Sequence, residues 1–349
     1  MNILITGNMG YVGPVLGRFL NNSHPNAKLI GYDSGFFAHA LSAAKSLPEV
    51  FYQTQYFGDI RNIGYEILKD IDAVVHLSAI SNDPMGKEFE EVTRKINLDA
   101  SVNLVEMCIK SGVKNFVFAS SCSMYGAGGT LPKTEGDDTN PLTAYAKSKI
   151  GVEQAVSRME LGPMTFTSLR FATACGMSDR LRLDLVLNDF VASALLSKKI
   201  TVLSDGSPWR PLIDVRDMAR AIDWAICRSS KIGGQFLAIN VGKNENNFQV
   251  KDIAEAVAEA IPGTKIEINS SAKSDARSYQ VDFSLMEDLA PGFTPLISLR
   301  ESISSLQDGI ARMYFENELF RESEYIRLVS LKNHCLNGRL DKELNWKNS

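Results

Sequence analysis

One pattern at the start of the chain leaves the fold little freedom. A short apolar run, "NILIT" at residues 2–6, leads into "GNMGYVGPVLG", with glycines at 7, 10 and 13. An apolar run closed by a glycine turn and continued by helical periodicity reads as strand, tight turn and helix start. Each glycine has its own use there. Gly7 permits the turn, Gly10 lets a ligand approach the backbone, and Gly13 lets the helix pack close to the sheet. Pro14 suits the first helical turn, where its missing N–H costs nothing. The free N–H groups of such a helix start favour an anion. The spacing is G-x-x-G-x-x-G, not G-x-G-x-x-G. A glycine-rich turn with no ligand has the same local form, so the rest of the chain must decide.

The alternation continues. Apolar runs at 28–32, 73–77, 115–119 and 165–169 are separated by helical patterns such as 88–111 and 143–160. Strands alternating with helices imply a parallel sheet covered on both faces. The unbroken runs "AVVHL" and "FVFA" suit strands buried on both sides. After Arg170 the texture changes. "GMSDRLRLD" is irregular, 185–196 is helical, and "SDGSPWRPLIDVRD" follows. Residues 215–227 and 236–241 read as a return to the first sheet. Residues 249–260, 265–268 and 299–313 read as a smaller lobe, and the tail 316–349 as charged and helical. The predicted class is α/β, a Rossmann-like doubly wound parallel sheet with a smaller α/β lobe. The expected division is 1–170 plus about 212–242 for a nucleotide-binding domain. The lobe takes about 171–211 plus 243–349, tail included.

Asp33 closes the run at 28–32, twenty residues after Gly13. A carboxylate there accepts from a ribose 2′-OH and repels a 2′-phosphate. No arginine occurs between Arg18 and Arg61. The glycine turn and Asp33 together favour NAD(H) over NADP(H); alone, Asp33 would pass for a turn carboxylate. Asp59 in "GDI" is placed either to meet an adenine or simply to cap a loop.

The formal net charge of -4 carries no basic surplus, which argues against nucleic acid as a partner. Five cysteines without C-x-x-C spacing and four histidines without ligand spacing predict neither a disulfide framework nor a metal site. No apolar run approaches the ~18 residues of a membrane span. A first strand at residue 2 leaves no room for a leader. The expectation is a cytoplasmic, metal-free protein with no membrane contact.

Tyr145 and Lys149 in "TAYAKSKIGVEQ" are four residues apart and share a helix face. A phenol with a pKa near 10 needs a depression of roughly 3 units to act as a base near neutrality. An ammonium about 5 Å away at an effective dielectric near 20 supplies roughly 3 kcal/mol of it. Such a pair also arises by chance on surface helices. "FASSCSMYG" follows the strand at 115–119 and offers Ser121, or Ser123 as an alternate, to share a proton with the phenol and a substrate hydroxyl. Serines in that position also serve turns.

Taken in order, "TGNMGYVG", Asp33, "GDI", "HLSA", Asn97 in "KINLDASVNL", "SSCSMYG", Tyr145/Lys149 and "RPLIDVRD" resemble the extended short-chain dehydrogenase/reductase family, in its nucleotide-sugar epimerase and dehydratase branch. The resemblance covers roughly residues 1 to 310. It implies Tyr145 as catalytic base, Lys149 on the nicotinamide ribose and Ser121 on the sugar hydroxyl. It implies NAD contacts from Gly7, Met9, Gly10, Tyr11, Val12 and Gly13, and from Asp33, Asp59 and Ile60. Further cofactor contacts are implied at Leu77, Ser78, Ala79, Asn97 and Ser120. For a nucleotide-sugar substrate it implies Ser81, Asn82, Ser121, Cys122, Ser123 and Thr173 around the sugar. Asn188, Arg210 and Arg277 fall to the diphosphate, where the planar fork of arginine meets phosphate oxygens. Surface ion pairing is the competing role for both arginines. A homodimer through the helices at 88–111 and 143–160 is also implied.

The chain departs from the family in places. Its 4,6-dehydratases carry an acid pair or a glutamate just after the active-site Ser/Thr, where this chain has Cys122 and Ser123. Elimination of water is therefore disfavoured. Thr173 stands where asparagine is expected, "SNDPMG" at 81–86 is not the standard epimerase loop, and the tail after Met313 exceeds the family core. The leading expectation is an NAD-dependent nucleotide-sugar epimerase acting by transient oxidation at C4. A 4-keto-sugar nucleotide reductase consuming NAD(P)H is the nearest rival, and a non-catalytic NAD-binding relative a more distant one.

Overall fold

The structure is a computed structural model that describes residues 1–347 except 43, 128, 130, 270–277, 314 and 316–318. The first half runs β1 (Asn2–Thr6), α1 (Gly13–Ser23), β2 (Lys28–Asp33), β3 (Thr54–Phe57), β4 (Ala73–His76), α2 (Asp83–Glu88), α3 (Glu90–Arg94), α4 (Ala100–Ser111), β5 (Asn115–Ser121), α5 (Ala144–Val156) and β6 (Thr165–Phe171). It continues with β7 (Thr173–Cys175), α6 (Val186–Ser197), β8 (Lys199–Val202), β9 (Trp209–Asp214), α7 (Val215–Cys227) and β10 (Phe236–Val241). The chain closes with β11 (Asn247–Gln249), α8 (Val250–Ala260), β12 (Lys265–Ile268), α9 (Ser284–Leu289), α10 (Leu299–Arg312) and α11 (Arg327–Leu336).

Seven strands form one parallel sheet in the order β10-β6-β5-β4-β1-β2-β3. This is the doubly wound arrangement that the alternation predicted. Strands β4 and β6 are buried along their whole length, as strands covered on both faces must be. Phe116, Phe166 and Phe236 stack across β5, β6 and β10 at 5.4 and 5.5 Å between ring centroids, which ties the strands laterally. The order reverses at β1, between β2 and β4. In open α/β sheets that switch point opens the crevice where ligands bind. The register pairs Thr6 with both Tyr32 and His76, so Gly7, Asp33 and Leu77 emerge side by side at its rim. Buried His76 bridges Thr6 (2.6 Å) and Ser101 (2.8 Å), and burial pushes its pKa down to about 3.

Helix α1 packs with α7, and α4 with α5. The stretch read as one helix at 88–111 is broken. Between α3 and α4 the chain widens into a π turn over Lys95–Asp99, which turns Asn97 inward. Gly112, at φ 77°, then ends α4 in the left-handed conformation glycine favours.

Beyond Arg170, β7, β9 and β11 form a three-stranded sheet, and β8 pairs with β12. Strand β10 returns to the large sheet beside β6, as expected. The boundary expected near 212 falls inside β9, which stays in the small sheet. The end of the tail packs elsewhere. Leu331, Leu340 and Leu344 share a core with residues of β2, α4 and β5, against the first half of the chain. Trp346 Nε1 donates to the Ser34 carbonyl (2.6 Å), and Lys95 pairs with Glu343 (2.8 Å). The first part of the tail meets the lobe instead: Arg321 pairs with Asp189 of α6 (2.7 Å), and Phe320 and Tyr325 join the other core.

Candidate functional site

A cavity of about 980 Å³ opens at the switch point and is lined from both halves of the chain. At one end lies the glycine turn. Gly7 has φ +75°, and a Cβ on it would stand 2.5 Å from the Ser78 nitrogen. At Gly13 a Cβ would stand 1.8 Å from the Asn8 carbonyl oxygen, so only glycine lets α1 start so close. Helix α1 carries no side-chain cap and no acid in its first turn, so its N–H groups are left for an anion. The Asp33 carboxylate accepts from the Met9 amide (2.9 Å) and the Gly35 amide (2.7 Å), which fixes it at the rim. Burial raises its pKa, and the two amides oppose that. A glycine cradle, an uncapped helix start and a fixed rim carboxylate fit a dinucleotide. Asp59 lines the same end but is forked by Arg61, whose Nη1 reaches the Glu343 carbonyl (2.9 Å).

Further along the rim, Ser121 stands at the end of β5, and Tyr145 and Lys149 project from α5. Thr143 caps α5 by accepting from the Ala146 amide (3.1 Å), which fixes where the first turn points Tyr145. Burial pushes the phenol up to about 12, and a hydrogen bond with Ser121 opposes it. Ser121 also donates to Ser123 (3.0 Å). Lys149 is buried, 5.6 Å from the Tyr145 ring and 4.6 Å from the Phe118 ring. Burial pushes it down to about 7, and Glu153 one turn further raises it. Glu153 is itself held by Ser120 (2.7 Å), Ser168 (2.7 Å) and Arg170 (2.7 Å). The simple electrostatic expectation is not met: desolvation dominates, and the phenol is held above its ordinary value rather than below it.

The opposite wall holds residues that sequence reasoning missed. Arg182, from the stretch read only as polar and irregular, forks Asp184 (2.9 and 3.1 Å) and donates to Ser81 (3.1 Å). Asn82 donates to Asp184 (2.6 Å). The 81–82 loop and the second half are therefore clasped over the cavity. Asp83 also lines it, and its charge raises both Tyr145 and Tyr279. Tyr279 sits 5.9 Å from the Arg210 guanidinium and hydrogen-bonds Thr173. The signal available for Arg182 was a charged pair two residues apart, but only the fold shows what it faces.

Most predicted positions line this cavity: Gly7, Gly10, Tyr11, Val12, Asp33, Asp59 and Ile60, then Leu77, Ser78, Ala79, Ser81 and Asn82, and Ser120, Ser121, Ser123, Tyr145, Lys149, Thr173 and Arg210. Five predicted residues do not. Met9 lends its amide to Asp33, and Gly13 packs under the turn. Asn97 is buried and clamps Ile80, accepting from its amide (2.8 Å) and donating to its carbonyl (2.9 Å). Cys122 turns inward with Sγ donating to the Arg170 carbonyl (3.0 Å), and burial pushes the thiol far up. Asn188 is buried, accepting from the Gly176 amide (3.0 Å) and donating to the Arg182 carbonyl (2.9 Å). Arg277 lies outside the described residues.

Residues 3–242 match the model of the NAD dependent epimerase/dehydratase family. The chain is 28% identical over 320 residues to the UDP-glucuronate 4-epimerase of Thermodesulfobacterium geofontis, covering 86% of this chain and 93% of that one. It is 25% identical over 276 residues to the UDP-glucose 4-epimerase of Corynebacterium glutamicum, covering 74% and 80%. The solved structure of MoeE5 in complex with UDP-glucuronic acid and NAD aligns with a TM-score of 0.76 at 25% identity, over 89% of this chain and 99% of that one. Among the described residues no helix is long and apolar enough to cross a membrane.

Proposed function

Because this chain belongs to the NAD-dependent epimerase/dehydratase family, we propose that it is a nucleotide-sugar epimerase that oxidises its sugar transiently at C4. The observation that carries the reading is the phenol of Tyr145, hydrogen-bonded to Ser121 and one helical turn from Lys149, on the wall of a cavity about 980 Å³ in volume. Gly7, Gly10, Val12 and Asp33 would hold the cofactor, and Lys149 its nicotinamide ribose. NAD, when bound, supplies the reversible acceptor of the electron pair. Tyr145 takes the proton of the C4 hydroxyl and returns it after the keto sugar has turned over. Ser121 bonds the same hydroxyl and keeps it in line with the phenol. Arg210 and Tyr279 on the opposite wall suit the nucleotide diphosphate. The 81–82 loop, clasped by Arg182 and Asp184, limits the space in which the sugar turns.

Incubating the protein with UDP-, GDP-, CDP- and dTDP-sugars and following the products by NMR tests this. The expected outcome is a C4 epimer with no net loss of NAD. Tyr145→Phe should lower kcat about 10²–10⁴-fold with the fold intact. Full activity in that variant would remove Tyr145 from the mechanism. Steady consumption of NADH at 340 nm with a keto sugar would select reduction instead.

Asp83 favours one second reading. The positions after Ser121 carry no acid, yet this carboxylate faces the same space as Tyr145. It could serve as the acid of an elimination, and the same NMR experiment would then show a deoxy-keto product. Asp83→Asn would abolish that product while sparing epimerisation.

A further inference from the structure

Arg327 opens α11 in the tail and is 1% exposed, yet it lines the cavity. Its Nη2 donates to the Arg180 carbonyl (2.9 Å), and its guanidinium lies 4.4 Å from the Phe37 ring centroid. Its Nη1 is buried and finds no hydrogen-bond partner among the described residues. The carboxylates that feel its charge, Asp184 and Asp33, are engaged elsewhere. Asp184 takes Arg182 and Asn82, and Asp33 takes two backbone amides. Two further guanidiniums, Arg180 and Arg182, repel it, and burial with that repulsion brings it down to about 9, still a cation at neutral pH. A desolvated cation with an unused donor is costly unless an anion completes it.

Its surroundings indicate which anion. Phe37 and Asp33 belong to the segment that ends β2, where a dinucleotide's adenosine ribose belongs. Arg210, suited to the nucleotide sugar, stands on β9 of the small sheet. The tail is fixed at the adenosine end, not merely laid on it. His334 Nε2 hydrogen-bonds the Phe36 carbonyl (2.9 Å), and Trp346 Nε1 the Ser34 carbonyl (2.6 Å). Helix α11 is thereby fastened to the segment 34–37.

We propose that Arg327 is a phosphate ligand of the bound dinucleotide, so that the C-terminal tail completes the cofactor site. The inference rests on NAD being the cofactor and adds a ligand from outside residues 3–242, the span of the family match.

Calorimetric titration of the nucleotide-free, full-length protein with NAD+, ADP-ribose, NADP+, adenosine and UDP tests it. In Arg327→Met, NAD+ and ADP-ribose should bind about 10- to 100-fold more weakly, as expected for loss of a charged hydrogen bond. Adenosine and UDP should bind as before. The Tm of the nucleotide-free variant should hold or rise, because an incompletely paired buried charge has gone. If that variant does not fold, Arg327→Lys carries the test, with a smaller loss confined to the same two ligands. Unchanged NAD+ binding overturns the proposal. Equal losses for adenosine and NAD+ also overturn it, since Arg327 would then only shape the wall. A loss confined to UDP, or to NADP+, assigns the residue to another phosphate and overturns it too. A wild-type protein that binds no NAD+ would overturn the cofactor reading itself, whatever Arg327 does.

Discussion

At the scale of the residue, burial decides the titration of Tyr145 and Lys149. A lysine near a phenol promises a depressed tyrosine, but here the phenol stands at about 12 and the ammonium at about 7. Desolvation penalises both charged forms, and it falls on both residues at once. The cofactor-free protein should therefore show no Tyr145 ionisation below about pH 11 in ultraviolet difference titration against Tyr145→Phe. The cationic ring of NAD+ should bring that ionisation down, and an unchanged titration would remove the cofactor as its tuner. Lys149 gives a second test. Its pKa falls from an unfolded value near 10.4 to about 7, so the unfolded chain binds more protons between those values. Stability from this group is lowest below pH 7 and recovers as pH rises towards 10. Lys149→Met should stabilise the cofactor-free protein at pH 6 by on the order of 2–4 kcal/mol, with the gain shrinking by pH 10. Urea midpoints across that range read it. Ser121 and Tyr145 were legible as candidates from their motifs; the direction of their titration was not, because it depends on how much water the fold excludes.

At the scale of the element, the clearest divergence is the helix read at 88–111. Its periodicity was sound, yet it holds a π turn at Lys95–Asp99. Such a turn costs regular hydrogen bonding and often marks a functional position. Here it turns the Asn97 amide inward, where it seals both polar groups of Ile80 and donates to Ser148 of α5 (3.2 Å). Asn97 therefore acts on the cavity wall at 77–81 indirectly, by holding the Ile80 backbone. Asn97→Ala should cost about 1–3 kcal/mol in denaturant unfolding, because two buried backbone groups lose their partner. It should also weaken NAD+ binding, while Asn97→Asp should restore part of the amide contact. Lost stability with unchanged NAD+ affinity would confine Asn97 to a structural role. The strands β10 and β12 and helix α7 fall where the sequence placed them, each with the apolar period of its own element.

At the scale of the whole molecule, the family likeness suggests a dimer through the helices read at 88–111 and 143–160, of which α4 and α5 are the longest pieces. The outward positions of these helices are Asn103, Glu106, Lys110, Lys147 and Gln154, with no exposed large apolar side chain among the described residues. A stable interface concentrates apolar surface at its centre. Sedimentation should therefore show an association that dissociates in the low-micromolar range, and a dimer persisting at nanomolar concentration would place the interface elsewhere. The tail is the other whole-molecule feature. Its composition announced helices and charge; the structure divides it, with Arg321 paired to Asp189 of α6 and the residues from Leu331 to Trp346 packed against the first half of the chain.

The sequence by itself determined the sheet, its direction, the glycine cradle, Asp33 and the Ser121/Tyr145/Lys149 set. All of these follow from local patterns, in which periodicity and spacing fix what a short segment must do. Only the tertiary structure decided that Cys122 and Asn188 turn inward, that Arg182 and Asp83 face the cavity, and that Arg327 reaches it from 178 residues beyond Lys149. Those facts depend on which segments meet across the switch point. Side chains so far apart in sequence carry no mark of the water they lose or the charges they find.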